Sequence, residues 1–152
     1  MEQNIVDLIN TLASKADDFF SCGEVESSKI TQAEEILGVE FAEEFVEYAQ
    51  KFGAMELDNV EYCGIVDFRN VSTIVRTQSM REFPDFPMDC YVIESLGIDN
   101  IVIVQKADGK VYQYAPGEDL EHIANSFGEY LLCENDVRNE RSDYWKERAK
   151  DL

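Results

Sequence analysis

The sequence is short of positive charge. Its 152 residues carry 13 lysines and arginines against 32 aspartates and glutamates, a net charge of −19. A phosphate backbone is held by a basic stripe that releases counterions, so DNA, RNA and anionic lipid would repel this chain. No apolar run approaches the roughly 20 residues that cross a bilayer, and the opening MEQNIVDLIN lacks the basic region of a secretory signal. The expectation is a cytoplasmic protein that touches neither nucleic acid nor membrane. Cysteine pairing is missing too. Cys22, Cys63, Cys90 and Cys133 are widely separated and form no Cys-x-x-Cys, which excludes a zinc knuckle or a redox motif and leaves four reduced, small hydrophobic residues.

The residues of catalysis are equally scarce. His122 is the one histidine, and on a helical reading of its segment it falls off the apolar stripe, exposed and structurally neutral. There is no Gly-x-Ser-x-Gly elbow, P-loop, Rossmann fingerprint, His-Glu-x-x-His or EF-hand loop. Asp17 with Asp18, and Asp85 with Asp89, offer too few oxygens for a calcium cage of about six to eight ligands. Glu34 and Glu35 diverge as helical neighbours and make no carboxylate dyad. No enzyme, cofactor or metal is expected.

A chain of 152 residues with 45% hydrophobic content suits one domain, residues 1–152, around one core. Two short helices with readable ends lie between Ile30 and Gly53. Ile30, Ala33 and Leu37 recur at the helical period, Thr31 with Glu34 has capping-box spacing, and Gly38 stands where a left-handed residue stops a helix. Ala42, Phe45, Ala49 and Phe52 make the next stripe, which Gly53 ends. A further amphipathic helix is predicted over about residues 3–16, followed by a loop through Asp17, Asp18 and Gly23.

Strands dominate after Gly53. They are predicted near 54–57 and 60–63 with Asp58-Asn59 as their turn, then over 90–94, 101–105 and 111–115, with Asp108-Gly109 as a two-residue hairpin turn. The piece 101–105 is apolar on both faces and should be covered on both. Thr73–Met80 reads as a short helix ahead of a loop where Pro84 and Pro87 bracket Phe86. Leu120, Ile123, Ala124, Phe127, Tyr130 and Leu131 read as one helical stripe despite Gly128, and Asn139–Lys150 as a charged helix tethered by Tyr144 and Trp145. The fold class is α+β, a mostly antiparallel sheet packed with helices.

The ordered signals resemble the SUKH superfamily. Ile30, Ala33, Glu34, Leu37, Gly38 and Gly53 match its paired helices, and Gly64 falls where the family has a glycine after the first strand. Asp108-Gly109-Lys110-Val111-Tyr112 resembles its late hairpin, and Ser126-Phe127 with Glu129-Tyr130-Leu131 its C-terminal Ser-Phe helix. The likeness covers about residues 28–132 and departs at Ala42, where the family usually has proline. It implies a non-catalytic protein-binding domain. Bacterial members are mostly immunity proteins that neutralise toxins, often nucleases, while some eukaryotic members are cell-wall regulators and scaffolds.

The acidity is uneven: residues 1–60 hold 14 acids and three bases, residues 121–152 eight acids and five bases. Such a surface can serve solubility alone, or it can attract a basic partner. Glu56, Asp58, Glu61, Tyr62 and Asp67, with Phe68 nearby, are the candidate partner-binding residues, because carboxylates pair with cationic forks and aromatics supply desolvated contact. Glu34 serves equally well as a helix-end hydrogen-bond acceptor. The expected function is an immunity protein that occludes a basic toxin, such as a nuclease. A regulatory scaffold and an acidic nucleic-acid mimic are the alternatives.

Overall fold

The structure, a computed structural model, describes residues 4–97 and 99–137. The charged segment Asn139–Lys150 lies outside the described residues. Helix α1 (Ile5–Lys15) opens where the Asn4 side chain accepts from the Asp7 N–H at 2.8 Å, and it buries Ile5, Leu8, Ile9 and Leu12 as its periodicity predicts. Strand β1 (Phe19–Ser21) follows, within what reads from sequence as a loop. Helix α2 (Ser27–Leu37) begins earlier than predicted. Glu26 is its N-cap, so Thr31 lies inside the helix and caps nothing. Glu34 instead looks forward: its carboxylate accepts from the Phe41 N–H at 2.8 Å and fixes the short link to helix α3 (Glu43–Phe52). Gly38, at φ 67°, closes α2 in the left-handed conformation.

At Ala42 the backbone N–H donates to the Tyr91 hydroxyl at 2.9 Å. A proline there would lose this buried bond, which gives the departure from the family pattern a physical use. Helix α3 presents Phe45, Tyr48, Ala49 and Phe52 to the core. Strands β2 (Met55–Leu57) and β3 (Val60–Tyr62) pair antiparallel across the Asp58-Asn59 turn, whose residues sit at φ 50° and 69°. Strand β1 pairs with the far side of β2, giving a three-stranded sheet in the order β1-β2-β3. After β3 the chain passes Gly64, where an added Cβ would stand 1.6 Å from the Gly53 carbonyl oxygen. Close backbone approach, not a left-handed torsion, requires glycine there.

A short 3₁₀ turn (Arg69–Val71) leads into helix α4 (Thr73–Met80), capped by Ser72 accepting from the Val75 N–H. Strands β4 (Tyr91–Ser95), β5 (Val102–Gln105), β6 (Val111–Tyr114) and β7 (Glu121–Ala124) form an antiparallel sheet in chain order. The β5–β6 turn is longer than predicted. The Lys106 N–H donates to the Lys110 carbonyl, and the Gly109 N–H to the Lys106 carbonyl, so residues 107–109 make a three-residue loop with Gly109 at φ 94°. A bulge at Ile93 joins the two sheets, because its carbonyl accepts from the Cys63 N–H at 2.8 Å.

The stripe predicted from Leu120 to Leu131 is two elements. Residues 121–124 complete the free edge of β6 as β7, and helix α5 occupies residues 127–137, up to the end of the described chain. Ser126 accepts from the Glu129 N–H at 3.0 Å and marks the true start, which puts Gly128 in the first turn and not mid-helix.

All four strands of the larger sheet carry buried side chains. Tyr91, Ile93, Ile103 and Val111 face the main core with α1, α3 and α5, while Val92, Val102, Val104 and Tyr114 face a second cluster with Met80 and Phe86. β5 is thus covered on both sides, as its sequence predicts.

Candidate protein-binding face

The smaller sheet has three rungs, and alternation sends two of them inward. Phe19–Leu57–Val60 and Ser21–Met55–Tyr62 turn toward the core, so the middle rung, Phe20–Glu56–Glu61, turns outward. Phe20 is 61% exposed, and beside it Phe68, from the loop entering the 3₁₀ turn, is 65% exposed. Together with Cys22, Met55 and Val71 they line an open concavity of about 320 Å³ whose acid groups are Glu56 and Glu61. These two carboxylates stand directly opposite each other on adjacent strands. Neither has an ion pair among the described residues. Like charges in facing positions repel, and large exposed aromatics leave apolar surface in water; both features cost stability in the isolated chain.

The candidate residues fall in different places. Glu56 and Glu61 share the outward rung. Asp67 is exposed and lines an adjoining concavity of about 630 Å³ with Phe68, Ile36 and Ile74. Phe68 is therefore a ridge between two hollows. Asp58 is committed to the fold: its carboxylate accepts from the Asp17 N–H at 2.9 Å and holds the α1–β1 link against the β2–β3 turn. Tyr62 is fully buried, its ring edge-on to Phe127 and its hydroxyl donating to Glu134. Alternation explains the correction, since Tyr62 follows outward-facing Glu61 and must point inward, where it offers a partner no surface. The residue that sequence reasoning missed is Phe20. Two adjacent phenylalanines, Phe19-Phe20, were the available signal: alternation buries one and exposes the other once the segment is a strand.

A second acidic place is built for the fold. The Glu44 carboxylate on α3 accepts from the Phe127 and Gly128 N–H groups at the start of α5, and from the Gln105 side-chain amide at 3.1 Å. Gln105 also donates to the Gly109 carbonyl at 2.9 Å and accepts from the Tyr91 hydroxyl at 2.8 Å. With Ser126 on the Glu129 N–H and the Ser126 carbonyl accepting from the Tyr130 N–H, the four leading N–H groups of α5 are satisfied. Burial pushes the Glu44 pKa up, although these hydrogen bonds and the helix terminus oppose the shift.

The remaining titratable groups speak for structure. Burial holds the Cys63 and Cys90 thiols at about 12, so they are protonated and unreactive. The Tyr114 hydroxyl and the Gly117 N–H both bond Asp85 and hold its pKa below the usual carboxylate value, clamping the loop after Pro84 to the β6–β7 connection. His122 is exposed on β7, not on a helix, with its ring 5.4 Å from that of Tyr112. No group of three or more histidine, cysteine, aspartate or glutamate side chains is placed to hold a metal among the described residues.

The paired helices, the glycine packed after β3 and the Ser-Phe helix start agree with the family pattern. The chain matches the family described as SMI1-KNR4 cell-wall, SUKH_5, over residues 5–135. It belongs to that family, within the SUKH superfamily. The match takes in α1 as well as the segment that resembles the family by motif. No curated protein matches the chain. Membership is consistent with an immunity or a regulatory role and implies protein–protein interaction in general. Among the described residues, no helix of this SUKH domain is long and apolar enough to cross a membrane.

Proposed function

We propose that this SUKH domain is an immunity protein that binds and neutralises a cognate toxin domain in the cytoplasm, without catalysis or cofactor. The toxin is a basic protein, such as a nuclease whose groove must hold phosphates. The observation that carries the reading is the outward rung Phe20–Glu56–Glu61 with Phe68 beside it, where aromatic surface and uncompensated negative charge coincide. Occlusion is the mechanism. The acidic face covers the toxin's substrate groove, leaving Glu56, Glu61 and Asp67 as direct contacts and Asp58 and Tyr62 as supports beneath them.

Opposed fields raise association rates to about 10⁸–10⁹ M⁻¹s⁻¹ at low salt, which suits a protein that must intercept a toxin before it acts. A stable complex of this kind buries about 1,200–2,000 Å², so the rung is the centre of a contact that extends past Phe68 toward Asp67.

The test is a tagged capture from the native host, eluted at low and high salt, followed by rescue of cells expressing the captured protein. One basic partner in a salt-sensitive complex, whose toxicity the wild type suppresses and a Glu56→Lys/Glu61→Lys variant does not, supports the reading. Several unrelated native partners with no toxicity to suppress would replace it with the regulatory scaffold. Inhibition of many unrelated nucleases would replace it with the nucleic-acid mimic.

A further inference from the structure

We infer that the concavity on the outward rung is an arginine receptor: a partner arginine lays its guanidinium against Phe20 and Phe68 while Glu56 and Glu61 take its N–H groups. This rests on the reading of the face as a protein-binding surface and specifies the side chain it receives. The hollow itself is mainly apolar, lined by Phe20, Cys22, Met55, Phe68 and Val71. Water is a poor occupant for such walls, and a bare ammonium, strongly hydrated and compact, would lose its shell without matching contacts. A guanidinium is planar, weakly hydrated and edged with five donors. It can stack on an aromatic face and present its rim to two acids at once.

The rung supplies that combination in a fixed order. Phe20 is the direct cross-strand neighbour of Glu56, and Glu56 of Glu61, so aromatic, acid and acid stand side by side across three strands. Facing positions place Cβ atoms about 4.5–5.5 Å apart, close enough for one cation to meet both carboxylates. The occupant is thus a basic protein segment bearing arginine. Charge complementarity selects it: the hollow contains two acids, no base, and the chain around it is −19.

The full chain is titrated with two fluorescein-labelled peptides of equal length and charge, hexa-arginine and hexa-lysine, at physiological salt, with amide shifts recorded in parallel. Hexa-arginine should bind about tenfold more tightly than hexa-lysine, with shifts centred on Phe20, Glu56, Glu61 and Phe68. Phe20→Ser and Glu56→Gln/Glu61→Gln should each bring hexa-arginine down to the hexa-lysine level. Glu43→Gln/Glu47→Gln, on α3 in a separate hollow that these two acids line with Glu44 and Asp108, should leave the preference intact. Equal binding of the two peptides, or shifts spread over every acidic surface, would overturn the inference. The assay contains no toxin, so an arginine preference without any toxin rescued would defeat the immunity reading and leave the receptor standing. Rescue by a chain with no arginine preference would do the reverse.

Discussion

The two sheets of this domain are both antiparallel, yet they treat their faces in opposite ways. In the four-stranded sheet, β5 buries Val102, Ile103, Val104 and Gln105 in succession between two apolar clusters, and on the β4 edge Thr77 accepts from the Val92 N–H at 2.9 Å. In the three-stranded sheet, the strands are three residues long and the outer side of the middle rung carries phenylalanine, glutamate and glutamate. One sheet is sealed and one is open. The difference teaches where the fold meets its own demands and where it does not: side chains of the larger sheet are held by packing, whereas those of the outward rung are left with unmet apolar and electrostatic demands, which is why the proposed binding face is placed there.

The largest effect should come from a matched pair of substitutions across that divide. Ile103→Ala removes a side chain that is almost fully buried in the main core and should lose about 2–5 kcal/mol of stability. Phe20→Ala removes a larger side chain that is mostly exposed, and should change stability by less than about 0.5 kcal/mol. Urea unfolding of both variants measures the contrast. Comparable losses would mean that Phe20 is part of the core's support and that the open face is misassigned.

An intermediate effect is expected where the sealed side meets α5. Glu44→Gln keeps one acceptor oxygen but turns an amide donor toward the Phe127 and Gly128 N–H groups, so a loss of about 1–3 kcal/mol is expected near pH 4.5. The pH dependence has a definite sign. Burial raises the folded pKa of Glu44 above its ordinary 4.5, so between these values the folded state holds more protons than the unfolded one. The stability contributed by this group is full below about pH 4.5 and is lost as pH rises through the folded pKa. The wild-type margin over the glutamine variant should therefore narrow from pH 4.5 toward neutrality, as read by urea midpoints. A margin that widens would show that hydrogen bonds to the charged form outweigh its burial.

These regions also differ in how far their sequences disclose them. The sealed parts were legible because many residues repeat one message: α1 and α3 by apolar period, α4 by a short segment ahead of a proline-marked loop, β5 by its unbroken apolar run. The miss at residues 120–131 came from a period that two structures can share. Ile123, Ala124, Phe127 and Leu131 suit one helical stripe, but Ala124 and His122 pair with Val111 and Tyr112, and a capping signal at Ser126 with Glu129 restarts the chain as α5. The local capping signal, more than the stripe, marked the boundary.

On the open sheet, sequence supplied Glu56 and Glu61 but not Phe20, because a three-residue strand between charged loops is too short to show alternation. It also grouped Tyr62 with its acidic neighbour, although a strand must send adjacent side chains to opposite sides. What joins Phe20 to Glu56 is pairing across 36 positions of chain, and no local pattern reports it.

The smallest stability effect carries the most specific message about the open face. Glu56→Gln removes one of two facing carboxylates that have no ion pair among the described residues, so relief of repulsion should raise stability by about 0.2–1 kcal/mol at low salt. Added salt should erase much of that gain, because both groups lie near solvent and are screened within about 10 Å at 0.1 M. The same variant should bind a basic partner less tightly, through slower association and weaker retention of the cation. Opposite signs for folding and binding are the signature of a residue retained for recognition at some expense to the isolated domain. Urea midpoints at two salt concentrations, with partner association rates on the same samples, decide the matter. If Glu56→Gln lowers stability at both salt concentrations, Glu56 supports the sheet, and the contrast between a sealed scaffold and an open binding face loses its electrostatic half.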